Sequence, residues 1–485
     1  MNDQKAMSSS VPRVIQGGMG VGVSNWKLAR AVSSQGQLGV VSGTGLNSVL
    51  VRRLQEGDAD GSMRRALAHC PLREACVRIV ARYWIVGGKP AEKPYRPAPL
   101  FSLGSARELI EMTIVANFAE VFLAKEAHSG VVGLNLLEKI QLPTLASLFG
   151  AMLAGVDYVL MGAGIPRSIP GVLDGLAAWR KVTMRVTVEG EGLVEEPEIE
   201  LEPSAFLAQP TPPLRRPQFL AIVSSSTLAM TLARKSNGRV DGFVVEGCPA
   251  GGHNAPPRGA LQVNPRGEPI YGPRDVPDLA AIRALGLPFW LAGAYAHPEK
   301  LREAVAAGAA GVQIGTAFAF CDESGLAVEL KQAVLAKSLA GTVDLLTDAR
   351  ASPTGMPFKV VSLEGTVSDE AIYARRERGC DLGYLREAYA KPDGSVGYRC
   401  PAEPEEDFVR KGGSLADTVG RKCLCNGLLA AIGLGQRLAG GAAEPAVVTA
   451  GEDAAETRRF LGPGRRSYTA ADVLRFMGIE LLAAV

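Results

Sequence analysis

Chemistry in this sequence gathers at His253, one of four histidines in 485 residues. It closes the stretch VDGFVVEGCPAGGH, in which Gly242 to Glu246 reads as a short buried strand and the glycines after it as a turn. A lone histidine is more often structural, but a ring delivered by a glycine turn at a strand end is placed to move a proton near neutral pH. The other three are worse placed: His69 lies in an arginine-rich segment, His128 precedes a strand, and His297 starts a helix. His253 is therefore the candidate catalytic group.

The elements that must position it recur along the chain. Val11–Gln16, Leu38–Ser42, Gly130–Leu136, Tyr158–Met161, Phe219–Val223, Gly242–Glu246, Phe289–Leu291 and Gly311–Ile314 are short apolar runs, separated by helical text. The first helix takes Ser24 or Asn25 as its cap and buries Leu28, Ala31 and Val32; Pro298 and Gly308 bound a later one. Eight parallel strands with helices between them predict the α/β class, a (β/α)8 TIM barrel with insertions and a mixed C-terminal region.

The expected division is a barrel domain over 1–340 and a C-terminal region over 341–485. Two insertions interrupt the barrel, an arginine-rich helical one at about 47–103 and a hairpin excursion at about 181–217, sealed by prolines from Pro210 to Pro217. The excursion is read as a lid, a subunit contact or a surface decoration. Near the C-terminus, Thr469 with Asp472 three residues on predicts a capped helix.

Lys and Arg number 52 against 50 Asp and Glu, so no global field points to nucleic acid or a membrane surface, and a small molecule is the expected ligand. The first ten residues lack a secretory signal, and the apolar run Leu142–Val156 contains Pro143 and stops too soon to span a bilayer. A cytoplasmic protein is expected, with its eight cysteines reduced. Cys380, Cys400, Cys423 and Cys425 gather late in the chain, but their spacings are not those of a zinc ribbon or a ferredoxin, and no metal site is assigned.

Barrel enzymes react at the carboxyl ends of their strands. The polar and glycine positions there include Gly17 to Gly20, Ser42 to Gly45, Asn135, Gly162 to Gly164, Ser224 and Ser225, Glu246 to His253, Ala292 to Ala294, and Gly315 with Thr316. Glycines after the first and sixth strands let backbone approach a flat ligand. After the seventh and eighth, Gly293, Gly315 and Thr316 either hold a phosphate or only pack helix against strand.

The ordered set IQGGMG, VSGTG, GLNLL, AGGH, LAGAY and VQIGTAF resembles the FMN-dependent nitronate monooxygenase family, formerly 2-nitropropane dioxygenases. That fold family also holds flavin-dependent enoyl reductases, including trans-acting ones of polyketide and polyunsaturated fatty acid synthesis. The resemblance implies FMN as cofactor. It implies Gly18, Met19 and Gly20 along the isoalloxazine, Asn135 in a hydrogen bond to it, Glu246, Gly251 and Gly252 beside it, Gly293, Gly315 and Thr316 at the phosphate, and His253 as the active-site histidine.

Where many members carry a glutamine, an acidic residue and a lysine, this chain has Glu246, Pro249 and Ser224 or Ser225. GGHNAPPRG, with Arg258, and SPTGMPFKV look closer to the trans-acting enoyl reductases. The activity implied first is oxidation of alkyl nitronates with dioxygen. The alternatives are a nicotinamide-dependent enoyl reductase acting on acyl chains held by an acyl carrier protein, and a non-catalytic assembly partner.

Overall fold

The computed structural model describes residues 11–191, 195–209, 212–438 and 441–482. The tail before Val11, and Pro210 of the proline seal, lie outside the described residues.

Eight parallel strands close into a barrel: β1 (Val14–Gln16), β2 (Leu38–Ser42), β3 (Val132–Leu137), β4 (Tyr158–Gly162), β5 (Gln218–Val223), β6 (Gly242–Glu246), β7 (Phe289–Ala292) and β8 (Gly311–Ile314). Each pairs with its neighbours in chain order, and β8 returns to β1 through Val14 against Val312 and Gln16 against Ile314. β1 begins three residues later than the apolar run that predicts it, because Val11 is exposed. The (β/α)8 barrel is thus the fold of this chain.

Side chains alternate across each strand, so one set fills the barrel and the other meets the helices. Ile15, Val40, Leu160, Leu220, Val244 and Trp290 form the interior layer, all at most 1 % exposed. Trp290 Nε1 donates to the Pro12 carbonyl at 2.7 Å, which satisfies the one polar atom of that ring. The alternate residues, such as Val41, Val159, Phe219, Phe243 and Val312, join the helical shell.

Asn25 caps the first helix, Trp26–Ser33, accepting from Leu28 N at 2.9 Å. Its buried face carries Leu28, Ala29 and Val32; Ala31, expected in that stripe, is half-buried. Ser225 caps the helix after β5, and Thr469 with Asp472 forms the expected reciprocal cap on Ala470–Phe476.

The arginine-rich insertion is helical, with Leu46–Gln55, Ser62–His69 and Arg73–Tyr83, and its apolar faces share the barrel's shell. The excursion forms the antiparallel pair Val182–Arg185 with Glu198–Leu201. Val188–Glu189 then adds in parallel to Glu387–Ala390 of the C-terminal region. Arg52, 1 % exposed, reaches that region as well, donating to Leu434 O at 2.6 Å and pairing with Asp381 at 3.0 Å. No helix among the described residues is long and apolar enough to cross a membrane.

Candidate functional site

At the carboxyl ends of the strands lies a cavity of about 210 Å³. A single buried water needs roughly 10–15 Å³ by the same kind of measure, so there is room for an organic ligand. Its wall brings together Gly18, Met19 and Gly20 after β1, Asn135 in β3, Glu246 at the end of β6, Gly251, Gly252 and His253, and Gly315 with Thr316 after β8. Gly293 is not in that wall. With φ of +105° it backs the turn after β6, where a Cβ would stand 3.1 Å from the Gly247 carbonyl oxygen.

Two glycines are fixed by close approach. A Cβ on Gly18 would stand 2.3 Å from Asn135 Cβ, and one on Gly251 2.6 Å from the Ala450 carbonyl carbon. Both residues also line the cavity, so glycine is required there by packing against Asn135 and Ala450. Gln16 braces the first of these turns from below: Nε2 donates to Gly17 O at 2.6 Å and to Ser24 Oγ at 2.9 Å, while Oε1 accepts from Val40 N at 3.0 Å.

His253 is held from the far part of the chain. Gly252–His253 pairs antiparallel with Phe358–Lys359, and the imidazole meets the Phe358 ring edge-on at 4.9 Å between centroids. His253 Nε2 and Ser352 Oγ form a hydrogen bond of 2.7 Å, and Ser352 Oγ is bonded in turn to Thr354 Oγ1 at 2.8 Å. Gly252 N donates to Thr449 Oγ1 at 2.8 Å, and Gly451 N to Thr316 Oγ1 at 2.8 Å. The 449–451 loop thus clamps the turn that carries the histidine.

Burial governs the protonation of Glu246 and His253 in the wall. It pushes the Glu246 carboxyl up to about 7 and His253 down to about 4. The near-neutral histidine expected from sequence is therefore corrected: the ring is neutral at pH 7, and Glu246 is the group poised near neutrality. Neither shift is offset by a neighbouring charge.

The residues present suit a flat ligand with a polar edge. Thr44 Oγ1 and Gln313 Oε1 are buried in the wall with no partner in the protein, and Gly18, Gly251 and Gly252 line the space without side chains. FMN, as implied by the motifs, fits that pattern. Sequence reasoning missed the opposite wall, which the C-terminal region supplies through Tyr384, Leu385, Leu424, Cys425, Leu428 and Val447. Apart from Cys425, singled out only as a thiol, no local motif assigns those residues to the site; SPTGMPFKV, which holds Ser352 and Phe358, is the signal that reaches this part of it.

Residues 209–356 match the nitronate monooxygenase family, a span from just before β5 to the loop of Ser352. The chain is similar to a nitronate monooxygenase of Pseudomonas aeruginosa, at 32% identity over 124 residues, or 25% of this chain. The similarity spans about a third, 32%, of that protein's length. Among solved structures it is similar to FabK from Thermotoga maritima, with a TM-score of 0.45 at 14% identity, covering 96% of this chain and 93% of that one. It is also similar to nitroalkane oxidase from Streptomyces ansochromogenes, with a TM-score of 0.44 at 15% identity, covering 96% and 94%. The segment bearing β6, the glycine turn and His253 is thus where the chain resembles the nitronate monooxygenase family.

Proposed function

We propose that this protein is an FMN-dependent oxidoreductase that oxidises alkyl nitronates with dioxygen. One observation carries the reading: ten of the eleven residues singled out in the sequence line one cavity at the reactive end of a closed barrel. FMN supplies the redox chemistry when bound. Gly18, Met19, Gly20 and Asn135 would hold its ring on one side and Gly251 and Gly252 on the other, with Gly315 and Thr316 toward its phosphate and Gly293 shaping the turn between. His253, neutral at pH 7, accepts a hydrogen bond or a proton from the substrate, and the Ser352 hydroxyl fixes its orientation. Glu246, near half-protonated, can hold or release a proton beside it.

A second reading draws support from the missed wall. Leu385, Leu424, Leu428 and Val447 make one side of the cavity apolar, and such a surface suits an acyl chain carried by an acyl carrier protein. That is the nicotinamide-dependent enoyl reductase alternative. A protein acting in the cytoplasm on small molecules, without nucleic acid or membrane partners, fits either.

The test is a pair of anaerobic titrations on the purified yellow protein. Bleaching of the flavin absorbance by propionate 3-nitronate, with rapid oxygen uptake on readmitting air, supports the nitronate reading. Bleaching by NADH or NADPH alone supports the enoyl reductase. A colourless protein that takes up no added FMN refutes both and leaves the non-catalytic assembly role.

A further inference from the structure

We infer that Ser352 and Thr354 form a proton relay that joins the His253 imidazole to water in a second cavity, across the wall from the candidate active site. The inference rests on the proposed reading only in that His253 exchanges a proton with the substrate. The second cavity, of about 130 Å³, lies between the excursion, the segment after β3 and the C-terminal region. It has room for several waters, and it meets solvent, since Lys139, Thr187 and Glu189 in its wall are exposed. Ile140, Tyr384 and Leu385 line both cavities and form the partition between them. Two of the three carry no polar side-chain atom, and the Tyr384 hydroxyl is engaged with Asn47 at 2.5 Å and Ser48 at 2.8 Å. A proton therefore needs another way across.

His253 lines the first cavity and Thr354 the second, and Ser352, 0 % exposed, stands between them. The links are short, 2.7 Å from His253 Nε2 to Ser352 Oγ and 2.8 Å from there to Thr354 Oγ1. A hydroxyl has one proton to donate and two lone pairs. Thr354 N donates to Ser352 Oγ at 3.2 Å and takes one lone pair, so one of the two remaining links is donated and the other accepted. That leaves two arrangements. In the first, Nε2–H donates to Ser352, Ser352 donates to Thr354, and the Thr354 hydroxyl is left to donate to water; in the second, every bond runs the other way. Met356 N donates to Thr354 Oγ1 at 3.4 Å, which leaves that oxygen one position for a cavity water in either arrangement.

Passing one proton along the row converts the first arrangement into the second. The N–H bond at Nε2 breaks, one O–H bond forms and another breaks at each hydroxyl, and the proton leaves on a cavity water, with no other atom gained or lost. No hydrogen bond among the described residues occupies Nδ1, so that nitrogen is left for the substrate. Burial, which holds the ring at about 4, keeps a second proton from resting there, so one taken at Nδ1 is passed on from Nε2. Arg421 donates to the carbonyls of Arg350 and Ser352, which pins the loop that carries both hydroxyls. Thr354 touches no substrate; it is a positioning residue that acts through Ser352.

The test is the exchange of the His253 ring proton with water, read by NMR on the purified full chain with isotope-labelled histidine and assigned by its loss in His253→Ala. Thr354→Val, which keeps the shape and removes the hydroxyl, should slow that exchange at least about ten-fold, and Thr354→Ser should restore it to within about two-fold. On whichever substrate bleaches the flavin, Thr354→Val should lower kcat about five-fold with KM and the flavin spectrum unchanged. Should that variant fail to fold, Thr354→Ala takes its place in both measurements. Exchange in Thr354→Val as fast as in the unaltered chain, exchange equally slow in Thr354→Ser, or slowed exchange with kcat intact overturns the relay. Failure of every substrate to bleach the flavin strikes the proposed function instead, and the exchange measurement still decides the relay.

Discussion

Replacing Glu246 by glutamine tests whether the end of β6 is as dry as the fold makes it. The carboxyl stands at about 7 in the folded chain against an ordinary 4.5. At about 1.36 kcal/mol for each unit of pKa, ionising it costs the folded state about 3 kcal/mol. The sign follows from proton binding. Between pH 4.5 and 7 the folded chain holds this proton and the unfolded chain does not, so the group's contribution to stability falls as pH rises and is flat above 7. Glutamine cannot ionise. Relative to the natural protein, Glu246→Gln should therefore gain about 3 kcal/mol between pH 4.5 and pH 8. Urea unfolding of the FMN-free protein at those two pH values measures it as a difference of differences, in which every other titrating group cancels. His253 makes the control informative, because its depressed pKa has the opposite slope: stability is lost as pH falls from 6.5 toward 4. A gain by Glu246→Gln that does not change with pH would mean that water reaches the carboxyl, and would refute the assignment of a proton-holding role at neutrality.

Three further outcomes follow from the same geometry. His253→Ala should keep the flavin spectrum and lose most turnover; full activity in that variant removes the histidine from the reaction. Ser352→Ala breaks the 2.7 Å bond to Nε2 and should lower kcat five- to ten-fold, about 1 kcal/mol, with little change in KM; an equal rise in KM with kcat intact would show a binding role instead. Gly18→Ala places a methyl 2.3 Å from Asn135 Cβ and should weaken FMN binding at least ten-fold at a stability cost of about 1–3 kcal/mol, read by flavin release and by thermal unfolding.

The barrel was legible because each strand is a short apolar run bounded by turn residues, and the strand-end motifs lie within a few positions of the strands that carry them. Gly242 to Glu246 and the glycines before His253 read correctly for that reason: the turn is local, and only glycine tolerates φ of +78° at Gly252 without strain. Gly293 shows the limit of the same logic. Its segment allows either a phosphate contact or plain packing, and the structure sets it against the turn after β6, a neighbour that nothing in its own segment reveals.

By itself the sequence determined the strands, their order along the chain and the helix caps, since those follow from periodicity and from local hydrogen bonding. Only the tertiary structure decided what surrounds the histidine. Ser352 and Thr449 lie 99 and 197 positions from the residues they bind, and the apolar wall comes from segments with no common period. Such contacts are selected by the shape of the whole core, and the two protonation states they impose, a neutral imidazole and a carboxyl near 7, arise from exclusion of water, which no stretch of chain achieves alone.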